Sequence, residues 1–168
     1  MYYTDIVLGT GWAGNIRNAG FKGEATWFQP KSNLFDSAGV ISATLSVDYS
    51  FKKPVYIQGA VLYNSHRNRN NSFFSFSQIS GSTLSAKNLM PSDWSLFGQV
   101  TDAITPILNA GISVIYGFDP GFIFTMPSLT YSISNNWDIT LLHQGVYFTE
   151  KKSNPPFNSI YIRLKWNF

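Results

Sequence analysis

Side chains able to do acid–base, nucleophilic or metal chemistry are few in this chain. It has two histidines, nine acidic and twelve basic residues in 168, and no cysteine, which removes disulfides and thiolate chemistry. His66 sits in a polar, partly basic stretch with Arg67 and Arg69, followed by Phe73, Phe74 and Phe76. We read that stretch as a solvent-exposed loop; a constriction folded into a pore and a site for an acidic surface ligand are the sharper alternatives. His143 falls on an apolar alternating row. A hydrolytic site there would need a serine nucleophile and a polar group to orient the imidazole. The spacing sets no serine beside it, so the reading is a boundary or subunit-contact histidine. No carboxylate cluster or histidine spacing suits a metal, and neither a catalytic residue nor a cofactor is expected.

The other polar groups have a common placement. Asp5, Lys22, Glu24, Asp48, Asp93, Asp138, Arg163 and Lys165, with the amides Gln58, Asn64, Gln99, Asn109 and Gln144, all fall on one side of alternating segments. Such a row can line a water-filled channel, and a ring of one sign would select ions. Here the signs are mixed, so opposite charges paired across neighbouring strands and filling an interior is an equal alternative. Gly9, Gly11, Gly111, Ser113 and Gly117 on the same row leave room for water or for a plug.

The elements that carry this row are strands. From Gly39 to Phe51, Ile41, Ala43, Leu45, Val47, Tyr49 and Phe51 alternate with Ser42, Thr44, Ser46, Asp48 and Ser50, a period of two that gives a strand two different faces. The same pattern predicts about nine strands: Tyr3–Ala13, Gly20–Gln29, Gly39–Phe51, Val55–Asn64, Asp93–Thr101, Ile107–Gly117, Phe122–Ser132, Trp137–Phe148 and Ser159–Phe168. An extra extended piece could lie in Phe73 to Ile79. Charged residues make up only 12% and aromatics 17%, which is not the surface of an ordinary water-soluble domain. No run approaches the roughly 18 apolar residues of a membrane helix, so strands are the only available way to span a bilayer. The net charge of +3 is scattered rather than gathered into a stripe, and no nucleic-acid partner is expected.

The connections alternate in kind. Lys52-Lys53-Pro54, Asp102 to Pro106 and Ile133 to Asn136 read as tight turns, with Gly14 to Ala19 slightly longer; Pro30 to Ala38, Ser65 to Ser92 and Thr149 to Asn158 read as loops, and Phe118 to Gly121 is the short exception. Pro155-Pro156 reads as a rigid turn. Trp12, Trp27, Trp94, Trp137 and Trp166 all fall at strand ends on the apolar row. Indole prefers a membrane–water boundary, where its apolar body and its N–H are both satisfied. Trp12, Trp137 and Trp166 sort to the rim of tight turns, and Trp27 and Trp94 to the rim of long loops.

In Ser159 to Phe168 the alternation has no break: Ile160, Ile162, Leu164, Trp166 and Phe168 oppose Ser159, Tyr161, Arg163, Lys165 and Asn167. This ending, IYIRLKWNF, resembles the C-terminal signal of Gram-negative outer-membrane β-barrel proteins, a terminal aromatic with hydrophobic residues at every second position before it. The resemblance implies that Ile160, Ile162, Leu164, Trp166 and Phe168 are recognised by the barrel-assembly machinery through strand pairing. It covers the architecture of the whole chain but matches a specific motif only in the last ten residues.

The expected fold is therefore an all-β, antiparallel, up-and-down transmembrane β-barrel in the bacterial outer membrane. Short turns would lie in the periplasm and long loops outside. Nine strands counted back from a descending last strand put Tyr3 at the outer surface, whereas barrels of this kind have an even strand number with both ends inside. Residues 1–168 are thus expected to be the C-terminal portion of a larger barrel, and Met1 to Asp5 offer no export signal. The leading functional expectation is a porin-like channel for small solutes, with Lys22, Glu24, Asp48, Gln58, Gln99, Asn109, Asp138, Gln144, Arg163 and Lys165 lining it. A plugged structural or adhesive barrel is the second reading, and a soluble ligand-binding barrel with inverted faces the third.

Overall fold

The computed structural model describes residues 5–31, 39–65, 90, 92–119, 121–149 and 156–168. Within them the alternation seen in the sequence becomes nine strands: β1 Asp5–Ile16, β2 Ala19–Pro30, β3 Val40–Ser50, β4 Val55–Asn64, β5 Trp94–Thr105, β6 Leu108–Phe118, β7 Gly121–Ser134, β8 Trp137–Phe148 and β9 Phe157–Trp166. They form one antiparallel sheet in sequence order from β1 to β9. Every strand pairs with the next along nearly its whole length, so the up-and-down expectation holds. The sheet is open: β1 and β9 are its two edges.

Strand ends differ from the sequence reading where a strand runs into its turn. Tertiary pairing carries β1 on to Ile16, opposite Ala19, and reduces the first connection to Arg17 and Asn18. Arg17 has φ 56°, the left-handed conformation that a two-residue hairpin demands of its first central residue. β5 and β7 likewise outrun their predicted ends, and each absorbs an irregularity in register, between Ala103 and Thr105 and between Ser132 and Ser134. Such bulges add local twist at the rim of a sheet. β9 begins earlier than predicted, at Phe157, and ends at Trp166; the ladder gives one more bond, from the Asn167 N–H to the Asn136 carbonyl at 2.8 Å. The β7–β8 register skips Met126 and Pro127, where proline has no N–H to give. The loop with His66, Arg67 and Arg69, the possible extended piece from Phe73 to Ile79, and Pro155 lie outside the described residues.

Burial is inverted relative to a soluble β-domain. The buried hydrophobic side chains among the described residues are Phe28, Phe122 and Val146, whereas Ser42, Ser46, Asn64, Ser95 and Ser113 are buried polar ones. On β3, Ser46 is 9% exposed and its neighbour Leu45 47%; on β6, Ser113 is 8% and Ile112 47%. A flat sheet would expose both faces alike, so the sheet is curled toward its hydroxyl face. We call that the inner face and the apolar one the outer.

Aromatic rings from neighbouring strands cover several glycines. The Trp12 ring lies over Gly23 on the neighbouring strand, the Phe21 ring over Gly14, and the Phe122 ring over Gly117, each filling the place a side chain would take. Gly23→Val therefore has to displace the Trp12 indole, and overpacking of this kind costs about 1–3 kcal/mol. We expect a lower urea midpoint for Gly23→Val and a red-shifted Trp12 emission; Gly98→Ala, where nothing lies within 4 Å of the added methyl, should leave both unchanged.

Candidate functional site

The candidate site is the inner face, and the strand register sets which of its residues are neighbours. One row across the sheet reads Gly20, Asp48, Gln58, Gln99 and Ser113 from β2 to β6. Toward the turns, Asn109, Thr130, Thr140 and Arg163 form another row from β6 to β9. Lys22 and Glu24 stand on the same face opposite Ser46 and Thr44, and Asp138 stands opposite Lys165. All ten residues expected to line a channel, together with Asp5 and Asn64, thus share one face. Asp48, Gln58, Gln99, Asp138 and Gln144 are half-buried, while Lys22, Glu24, Asn109, Arg163 and Lys165 are exposed. The buried polar extreme is Asn64 at 1% exposure.

Cross-strand charge pairing accounts for little of this face. Asp138 and Lys165 are opposite in register, but the Asp138 carboxylate takes its hydrogen bonds from neutral donors, Ser132 Oγ at 2.7 Å and Asn167 Nδ2 at 3.2 Å. Glu24 faces Gly11 and Thr44, Asp48 faces Gly20 and Gln58, and Arg163 faces Thr140. Hydroxyls and amides bond among themselves: Thr130 Oγ1 lies 3.1 Å from Thr140 Oγ1, and the Tyr56 hydroxyl donates to Gln58 Oε1 at 3.4 Å. A face of this kind offers water exchangeable donors and acceptors of both signs, with no ring of like charge.

One inner-face feature went unread in the sequence. Ala60, Phe97, Ile115, Phe124, Val146 and Phe157 are neighbours in register on six successive strands, β4 to β9. They interrupt the polar face with an apolar belt near the loop end. The signal that could have found it was the apolar residue out of phase on each of several strands, such as Phe97 between Leu96 and Gly98. Single exceptions of that sort look like noise until the register aligns them.

The outer face carries Leu8, Ala25, Leu45, Ile57, Val61, Leu96, Val100, Ile112, Leu129 and Leu141, bounded by aromatic rings at both ends. At the turn end Trp137 and Trp166 stack with centroids 5.9 Å apart at 17°, Phe168 lies 5.5 Å from Trp166, and Tyr49 meets Phe51 at 4.7 Å. At the loop end Tyr63 meets Trp94 at 4.7 Å and Tyr116 meets Phe118 at 5.0 Å. All five tryptophans are exposed on this face. From Trp137 to Tyr147 on β8 is about 33 Å along a strand, or about 25 Å across a layer at a tilt near 40°. His143 also lies on this face, opposite Ile160. Ile160, Ile162, Leu164 and Trp166 of β9 are exposed along the sheet edge, and Phe168 lies just beyond the strand.

The chain matches no protein-family model, no curated protein and no solved structure.

The Trp137–Trp166 stack joins β8 to the edge strand. Aromatic pairs contribute about 0.5–1.5 kcal/mol beyond their buried area. A double-mutant cycle with Trp137→Ala and Trp166→Ala should therefore give a coupling near 1 kcal/mol, and either substitution should abolish the exciton couplet of the stacked indoles in circular dichroism.

Proposed function

We propose that this sheet is part of the wall of a bacterial outer-membrane β-barrel, with its apolar face in lipid and its polar face bordering a passage for small solutes. The observation that carries the reading is the inversion of burial: serine and asparagine enclosed, leucine and isoleucine exposed, with aromatic rings at both limits of the apolar band. In water each large apolar side chain left exposed forfeits about 1.5–3 kcal/mol of transfer free energy. In hydrocarbon the same row is at home, and the spacing of the aromatic rims fits an apolar band about 25 Å tall.

The open edges bear on the same reading. β1 and β9 run in the same direction, so direct closure of nine strands would pair them in parallel; at least one further strand restores antiparallel closure. In a bilayer an unpaired edge is untenable, because lipid cannot bond the free N–H and C=O groups. The barrel we propose is accordingly larger than this sheet. β9, with its exposed alternating Ile160, Ile162, Leu164 and Trp166 and the terminal Phe168, is the strand we assign to recognition by the barrel-assembly machinery. We propose no catalysis and no cofactor.

The absence of native cysteine makes a direct test possible. In lipid vesicles a membrane-impermeant maleimide should label Lys22→Cys, exposed on the inner face at the same depth, and leave Leu45→Cys unmodified; equal labelling of the two would overturn the membrane assignment. Leu45→Arg should lower stability in the bilayer by about 2–4 kcal/mol, with Thr44→Arg, opposite Glu24 on the inner face, close to neutral. Transport is tested by single-channel conductance in planar bilayers of the full-length protein. A stepwise KCl current is expected, and no current under any loop truncation would leave a plugged structural barrel instead.

A further inference from the structure

The inner face divides into two tiers. Ala60, Phe97, Ile115, Phe124, Val146 and Phe157 form one row, and the next row toward the turns holds Gln58, Gln99, Ser113, Met126, Gln144 and Ser159, amide or hydroxyl apart from Met126. The change from apolar to amide and hydroxyl takes place within one rung of the ladder. Phe97, Ile115 and Phe124 are only partly covered, although an aqueous passage gains nothing from apolar walls. The row beneath holds donors in want of acceptors. Ser159 Oγ is enclosed without a hydrogen-bond partner among the described residues, and among the same residues Gln144 Nε2 donates to Met126 Sδ at 3.8 Å. Sulfur is a weak acceptor, so an oxygen anion would displace it. Arg163, four residues beyond Ser159 on the same face of β9, adds a cation that opposes Thr140 rather than a carboxylate.

We infer that the belt and the row beneath it form a binding site for an amphiphilic monocarboxylate, an apolar chain or ring joined to a single carboxylate. The apolar body lies on Phe97, Ile115 and Phe124; the head draws the Gln144 amide off Met126 Sδ and in doing so opens Ser159 Oγ, on the residue opposite it in register, as a second donor. Arg163, about 13 Å along β9 from Ser159, adds a weak, salt-screened preference for an anionic head. The inference rests on the reading of the inner face as the wall of a solute passage. It separates this protein from a general diffusion pore, because the belt slows apolar-bodied anions while inorganic ions pass.

The test uses octanoate as probe, with acetate and 1-octanol as controls, on the full-length protein in planar bilayers. Octanoate should interrupt the KCl current in a saturable way and acetate should not. Phe97→Gln and Phe124→Gln should each weaken the block about fivefold, the size expected when one ring contact of about 1 kcal/mol is lost, with KCl conductance unchanged. Ser159→Ala should weaken block by octanoate and leave that by 1-octanol intact. A KCl current as indifferent to octanoate as to acetate overturns the site and leaves the channel standing. Absence of any KCl current overturns the channel, and equilibrium dialysis of octanoate against protein-loaded and empty nanodiscs then decides the site. Saturable binding weakened by Phe97→Gln sustains it, and uptake equal to that of empty discs removes it.

Discussion

An antiparallel ladder satisfies backbone hydrogen bonds between neighbours and sends successive side chains to opposite faces. All nine strands here are joined by one such ladder in sequence order, and everything else depends on its register. A slip by a single residue would carry Leu45 to the enclosed face and Ser46 to the exposed one, inverting the whole arrangement. The tight connections hold the register at one end. Arg17 and Asn18 close the first hairpin, and the carbonyl of Val55 receives the Phe51 N–H at 3.0 Å across the Lys52-Lys53-Pro54 turn. At the other end the buried Asn64 side chain and the bond from its N–H to the Asp93 carbonyl at 2.8 Å keep β4 and β5 in step where they diverge.

Because the ladder is continuous, chemistry is spread over rows rather than gathered in a pocket. A row collects one residue from each strand, so its character is a property of the sheet and of no single segment. Asp48, Gln58 and Gln99 become one polar strip in this way, and Phe97, Ile115 and Phe124 one apolar strip beside it. The outer face obeys the same logic with fewer exceptions, and its aromatic pairs join residues either across strands, as Tyr63 and Trp94, or two apart on one strand, as Tyr116 and Phe118.

Much of the fold was legible beforehand because a period of two needs no partner to be seen. The number of strands in the described residues, their order and the face assigned to each of the ten polar inner residues and five tryptophans follow from alternation alone. Strand ends were less legible: β1, β5 and β7 run further than expected because a paired neighbour extends a strand into residues such as Gly14, Asn15 and Asp102 that have little strand preference of their own.

Taken by itself, then, the sequence determined a two-faced, all-strand chain with its aromatic residues at strand ends, since each of these is a local pattern. Three things were left to the tertiary structure. Curvature decided that the hydroxyl face is the enclosed one, a choice alternation cannot make because it treats both faces equally. Register decided that single out-of-phase residues on successive strands, Phe97, Ile115, Phe124 and Val146, lie side by side. Pairing decided that Asp138 is held by Ser132 and Asn167 while Arg163 opposes a threonine, because partners six to twenty-nine residues apart meet only once the strands between them are laid in place.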